Sequence, residues 1–462
     1  MFSPKWLYRL LIFWTLFSAT SFANFGQEDT GSGLQIWMFL GVLWLVRLFA
    51  ESAFSFSFAV DRKILPACTW LAAFLLIAVF SLAMPIYIDG SLAIASPTLG
   101  DNSEIPLHFT SHNFTQLLYL AFGLILAICV AHRNLREDYR RETERILMYS
   151  GIFVALWGLF QFFCNVTGLT YPDFIFNNSN SPYAKGFLQT LDNTDFARIS
   201  SVCLEPSVFA LSLVTLLPLT FPAWLRKGAV ISVTIDRLTS ILFVVALILS
   251  TSSTAYLALI LAFLLLGMVL IRTKSISRAQ TVGLVVVAGV LGAGAVVVLF
   301  AAVSSMSNLV AAALLNKGSS SSALERMMTI QNAFGYFQQY PVLGIGWGSA
   351  TSHDLIVTLL SSVGIIGAIV FLGAMFYIVR SDWRLISSLD TPLNLSRAVW
   401  FQSFAIFLMT STIIGFPLVL GNFWIILGMA IAMTWNGLLL QREAANVNMP
   451  VGSGDSSARS LA

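Results

Sequence analysis

Apolar runs of roughly 20 residues, the length a helix needs to cross a hydrocarbon layer, recur along this chain with mostly short polar breaks between them. Backbone that crosses lipid must satisfy its own N–H and C=O groups, so runs of this length commit the chain to helices. We place them near 6–23, 34–50, 64–84, 113–131, 146–167, 203–225, 237–251, 254–271, 280–303, 354–379, 398–416 and 419–440. The predicted fold is all-α, a polytopic integral membrane protein of about 12 transmembrane helices. Composition agrees, with 57% of residues hydrophobic and 10% charged, where a soluble domain carries about 25% charged residues. Residues 1–445 read as one transmembrane domain, 304–353 as a long loop with an amphipathic helix between helices 9 and 10, and 446–462 as a small, polar, disordered tail.

Positive charge sets the orientation. With a cytoplasmic N-terminus, 21 of the 25 Lys and Arg residues fall on inner segments, and only Lys185, Arg198, Lys317 and Arg326 fall outside. That partition requires the 237–271 run to be two helices broken at Ser250-Thr251-Ser252-Ser253-Thr254. Both termini are then cytoplasmic. An alternative reading of the first run is a cleaved signal, since Arg9 precedes an apolar stretch ending in Ser21-Phe22-Ala23. The outer segment 85–112 holds Asp89, Asp101, Glu104, His108 and His112 and reads as a solvated loop. In 168–202, aromatic residues mix with Asn177, Asn178, Asn180 and Asn193, a composition that suits sugar rings and irregular loops alike.

Function should sit in 317–367, the longest polar interruption between two apolar runs. Leu324, Met327, Met328, Phe334 and Phe337 recur at helical spacing, Ser322 with Glu325 matches a capping box, and Tyr340-Pro341 stops the helix. Gly344-Ile345-Gly346-Trp347-Gly348 reads as a turn whose backbone can approach a ligand closely. His353 and Asp354 open the next apolar helix, and Asp354 is expected to hold the proton affinity of His353 near neutral.

Four polar groups stand where outer segments meet the membrane: Arg198, Glu205, Arg326 and His353. Charges at such positions are costly and face a cavity or a partner. Arg198 and Glu205 could form a structural ion pair, with Pro206 opening the helix. Arginine is equally suited to phosphate, because its fork donates paired hydrogen bonds. His353 can serve as a base, and the hydroxyls of Ser252 and Ser253 could line a polar cavity. The four cysteines read as small core residues, and no CxxC, HExxH, P-loop or metal-ligand spacing occurs. Neither metal, cofactor nor nucleic acid is expected.

Arg326, Pro341-Val-Leu-Gly-Ile-Gly-Trp-Gly348, Ser352-His353 and Gly364-Ile-Ile-Gly367 together resemble the signature of the O-antigen ligase and O-antigen polymerase superfamily. Thr251-Ser-Ser-Thr254 is similar to its hydroxyl-rich helix junction, although many members carry an arginine where this chain has Ser253. Arg198-Ile-Ser-Ser with Glu205-Pro-Ser207 resembles the polymerase branch more than the ligase branch. The resemblance covers roughly 196–380. It implies a GT-C-like fold in the bacterial inner membrane and a periplasmic glycosyltransferase that uses undecaprenyl-pyrophosphate-linked oligosaccharide as donor. The polymerase version extends O-antigen or exopolysaccharide on a lipid carrier; the ligase version passes the glycan to lipid A–core. Arg198 and Arg326 would stabilise the pyrophosphate, and His353 or Glu205 would take the acceptor's proton. Membrane lipids, a chain-length regulator and a flippase are the implied partners. A polysaccharide or small-molecule transporter is the reading from another class, weakened by the lack of an internal repeat.

Overall fold

The computed structural model describes residues 4–26, 32–55, 65–95, 104–181, 184–190, 197–274, 321–415 and 417–447. Its helices are α1 Pro4–Trp14, α2 Ile36–Ser55, α3 Leu65–Ser81, α4 Ala83–Ile88, α5 Ser111–Asn134, α6 Glu137–Thr167, α7 Pro206–Leu216 and α8 Phe221–Trp224. They continue as α9 Val233–Leu249, α10 Ser253–Arg272, α11 Ser321–Gln339, α12 Leu355–Leu385, α13 Pro392–Ile414 and α14 Gly421–Val447. Two short hairpins, Ser21–Phe25 with Ser32–Gln35 and Ala93–Ala95 with Glu104–Pro106, are the paired strands among the described residues.

Among the described residues, seven segments are long and apolar enough to cross a membrane: Leu65–Ile88, Ser111–Asn134, Glu137–Thr167, Pro206–Trp224, Ser253–Arg272, Leu355–Leu385 and Pro392–Ile414. The protein is an all-α, multi-pass membrane protein. Large apolar side chains such as Phe80, Leu257, Ile369 and Phe376 remain exposed, as a lipid-facing surface requires. The apolar run at 280–303, the loop segment 304–320 and the tail 448–462 lie outside the described residues.

Helix α7 is the axis of the bundle, with all eleven of its residues buried. It packs against α6, α9, α10 and α13, while α14 packs against α5, α12 and α13. The run at 203–225 does not form one helix. It starts at Pro206, whose missing N–H is harmless at a first helical position, and Pro218 and Pro222 convert its far end into a 3-10 turn, Leu217–Thr220, and short α8. Such irregular backbone is tolerated at membrane depth because protein surrounds it. The first run is likewise shorter than expected: α1 ends at Trp14, and the chain then turns into the first hairpin.

Helix α12 is broken at Gly364, whose φ of 65° and ψ of −170° are non-helical. The break leaves backbone carbonyls and an N–H without helical partners, and the turn from Pro341 to Gly346 supplies new ones. Ile345 N donates to Ser361 O at 2.7 Å, Gly346 N to Ser362 O at 3.2 Å, and Ile365 N to Pro341 O at 2.8 Å. The glycines are needed for close approach to the protein itself rather than to a ligand: a Cβ on Gly344 would lie 2.3 Å from Ser361 O. Trp347 is buried edge-on against Phe74 at 5.7 Å, and Asn113 Nδ2 donates to Trp347 O and Ser349 Oγ.

The segment 85–112 is only partly a solvated loop. Ile88, Leu92, Ile94 and Leu107 form a small apolar cluster with Ile345 and Ala350, against which Tyr336 and Tyr340 pack. Its polar groups include the exposed His108–Asp89 pair at 2.6 Å.

Candidate functional site

Five elements meet at one end of the bundle: the start of α7, the α9–α10 junction, α11, the start of α12 and the end of α13. Glu205 occupies the N-cap of α7, half-buried, and its Oε2 accepts from Ser207 Oγ at 2.9 Å. Gly186 lies directly on this turn, since a Cβ there would stand 2.0 Å from Leu204 O.

Arg198 is buried at 8% exposure, and its Nη2 reaches Thr251 O at 3.5 Å. The expected break between α9 and α10 is therefore where Arg198 rests. Thr251 sits in the left-handed region at φ 51°, Ser250 Oγ donates to Leu247 O at 2.7 Å, and Thr251 Oγ1 donates to Ser250 O at 2.8 Å. Those two hydroxyls serve the bend itself. Ser252, buried, and Ser253, half-buried, begin α10.

On the other side, Arg326 of α11 donates from Nη1 to Ile413 O at 3.2 Å, near the end of α13. His353 Nδ1 lies 2.9 Å from Thr329 Oγ1. Thr329 has one hydroxyl proton, and it is donated to Arg326 O at 2.9 Å. With the proton so placed, the bond to His353 runs from Nδ1–H to Thr329 Oγ1, the tautomer of the neutral ring that carries its lone pair on Nε2.

Burial is the main influence on His353 and pushes its proton affinity below the ordinary value. Glu205 raises it, Arg326 lowers it and Glu325 raises it. The expectation that Asp354 would hold this group near neutral is thus overturned. The Asp354 carboxylate caps α12 instead, accepting from Val357 N at 2.8 Å. Burial rather than the neighbouring carboxylate is the larger influence, and it favours the neutral ring.

Glu205 and Arg326 accordingly lie within electrostatic reach of His353, while Arg198 stands with the hydroxyl-rich junction and its charge acts on Tyr256. Asn177 and Asn178 serve the loop, with Asn177 Nδ2 donating to Ser201 O and Asn178 Oδ1 accepting from Ser21 N, while Asn193 lies outside the described residues. Three supporting residues escaped the sequence reading: Thr329, Tyr256 and Gln161. Gln161 of α6 accepts from Ser200 N at 3.1 Å and Ser201 N at 2.7 Å, and donates to Arg198 O at 3.4 Å, so it shapes the backbone that carries Arg198. A lone glutamine in the apolar run of α6 was a usable signal for it. Thr329 lies one turn after Arg326, on the same helical face.

Residues 238–372 match a family model described as O-antigen ligase. The chain carries an O-antigen ligase family domain. This O-antigen ligase family domain begins in α9 and ends in α12, and so contains Ser252, Ser253, Arg326 and His353 but not Arg198 or Glu205. It supports membership of the ligase and polymerase superfamily and points to membrane glycosyl transfer on lipid-linked glycans. No curated protein matches the sequence.

If Thr329 fixes the ring of His353, Thr329→Val should lower kcat while leaving KM unchanged. The loss of one neutral hydrogen bond, about 1 kcal/mol, corresponds to roughly fivefold. Thr329→Ser should restore the rate; equal rates in the native enzyme and Thr329→Val would remove the tautomer argument.

Proposed function

We propose that the protein polymerises undecaprenyl-pyrophosphate-linked oligosaccharide repeat units into O-antigen or exopolysaccharide on the periplasmic face of the inner membrane. The observation that carries this reading is the grouping of His353, Glu205 and Arg326 at the end of the bundle where Arg198 meets the hydroxyl junction. The acceptor sugar's hydroxyl oxygen attacks the anomeric carbon of the donor. The bond from that carbon to the pyrophosphate oxygen breaks, and its electron pair leaves with the lipid pyrophosphate. Arg198 and Arg326 stabilise the negative charge that builds there. His353 Nε2 takes the acceptor's proton, Glu205 holds the resulting imidazolium by its charge, and Ser252 and Ser253 contact the sugar. The segment Arg198-Ile-Ser-Ser with Glu205-Pro-Ser207 favours polymerase over ligase, and a chain-length regulator and a flippase are its expected partners.

Purified protein in liposomes supplied with a lipid-linked repeat unit should release undecaprenyl pyrophosphate and lengthen the glycan. Transfer only to added lipid A–core would make it a ligase, and movement of the donor across the bilayer without turnover would make it a transporter. Orientation has its own check. A cysteine at the exposed Gln338 should react with an impermeant thiol reagent added outside, and one at the exposed Ser387 should not.

Arg326→Lys keeps the charge but not the fork. Losing a hydrogen bond to a charged group costs about 1.5–3 kcal/mol, so turnover should fall roughly 10- to 100-fold. Near-native turnover would reduce Arg326 to a general electrostatic role.

A further inference from the structure

A second polar site lies at the opposite end of the bundle. Helix α6 carries Gln161 at the candidate active site and Arg140 near its other terminus, 21 residues earlier. At 1.5 Å per residue that separation is about 30 Å. Helix α13 repeats the arrangement, with Ile413 O at Arg326 and Ser396 at the far end. There the first turns of α6, the loop after α8 and the first turns of α13 enclose a cavity of about 290 Å³. Arg140, Arg141, Arg145 and Lys227 line it together with Glu137 and Glu144, and Leu219, Pro222, Leu395 and Val399 supply apolar wall.

Most of these charges are already answered. Arg141 pairs with Glu137 at 2.5 Å, and Lys227 with Asp390 at 2.7 Å. Arg145 Nε donates to Val230 O at 3.1 Å. Glu144 Oε1 accepts from Ser396 Oγ at 2.8 Å and from Trp400 Nε1 at 3.0 Å. Arg140 is different. It is 4% exposed, its Nε has no hydrogen-bond partner, and among the described residues no carboxylate lies within ion-pair distance of it. Glu144 and Glu137 act on it only from further away. A guanidinium buried without a hydrogen-bonded counter-charge is expensive, and a ligand that supplies one recovers that cost.

We propose that this cavity binds the phosphodiester headgroup of an anionic membrane lipid, with Arg140 as its principal donor. After the internal pairs are set aside, Arg140 and Arg145 face Glu144, an excess of one positive charge. A phosphodiester carries one negative charge, and its paired oxygens fit the guanidinium fork. The site lies at the charged ends of two helices long and apolar enough to cross a membrane and combines apolar with cationic wall, which suits a lipid whose chains stay in the bilayer.

The test uses the full purified chain in detergent, with phosphatidylglycerol and phosphatidylcholine offered at equal concentration and the retained lipid counted by native mass spectrometry. Phosphatidylglycerol should be retained preferentially, and millimolar inorganic phosphate should displace it. In Arg140→Gln, shown to be folded by its elution as a single species, the affinity should fall about 10- to 100-fold, the value of a hydrogen bond to a charged group. Arg145→Gln serves as a second variant if Arg140→Gln aggregates. Retention of inorganic phosphate without lipid preference would keep the phosphate site and assign it to a free anion. Equal retention of the two lipids with no phosphate binding overturns the proposal, as does a preference that both variants leave unchanged.

Discussion

Replacing His353 with alanine should lower turnover about 100- to 10,000-fold, the usual contribution of a positioned general base. Burial pushes the ring's proton affinity below its ordinary value of 6.5, so the free lone pair is present at neutral pH and is lost only as pH falls through that lowered value. The rate should accordingly be flat through neutrality, with an acid limb below about 6.5 that is absent from the residual activity of His353→Ala. Glu205→Gln should be milder and carry a signature of its own. Glu205 raises the proton affinity of His353, so removing its charge should move the acid limb to still lower pH. A folded His353→Ala enzyme with rapid turnover, beside an inactive Glu205→Gln, would reverse the two roles. Rapid turnover in both would place the base elsewhere.

Gly364→Val should prevent accumulation of folded protein. With φ at 65° and ψ at −170°, this residue occupies a region open essentially to glycine alone, and occupying it with a side chain costs about 1–3 kcal/mol before any contact is counted. An added Cβ would also stand 2.1 Å from Val342 O and 2.5 Å from Leu343 N, which are backbone atoms that cannot rotate away. Relief would mean breaking the bonds that join the turn to the helix, and losses above about 4 kcal/mol come from such compound faults. Gly373, further along the same helix, supplies the control. A Cβ there would meet Trp70 at 3.5 Å, an ordinary contact, so Gly373→Ala should yield protein of native amount. The readout is the fraction that elutes as a single species after extraction. Equal yields from Gly364→Val and Gly373→Ala would show that the break in α12 is dispensable.

Among the described residues, helices were legible along most uninterrupted apolar runs, as at 113–131 and 354–379. The boundary between α9 and α10 was legible as well, because hydroxyl-rich sequence and the distribution of basic residues both demanded it. Prolines were harder. Pro206 was recognised as an opener, but Pro218 and Pro222 stand in sequence as apolar as any span, and their effect depends on neighbours that satisfy the freed carbonyls. The first run misled for a related reason: an eleven-residue helix and the chain reversal that follows have the hydropathy of one span. At the site, residue type revealed Arg198, Glu205, Arg326 and His353, since charge at a membrane boundary is conspicuous. Thr329 and Gln161 are unremarkable residues that act through hydrogen bonds to backbone or side-chain atoms distant in sequence, and such bonds have no sequence period.

The interlock between the glycine turn and α12 bears on how chains of this kind are found. Its residues are constrained by sterics and backbone hydrogen bonds, so they would persist in a copy that had lost His353 or Arg326 and turned over nothing. A search keyed on Gly344, Gly346, Gly348 and Gly364 therefore retrieves an architecture. Whether a retrieved chain is an enzyme has to be read from the side chains that this architecture presents.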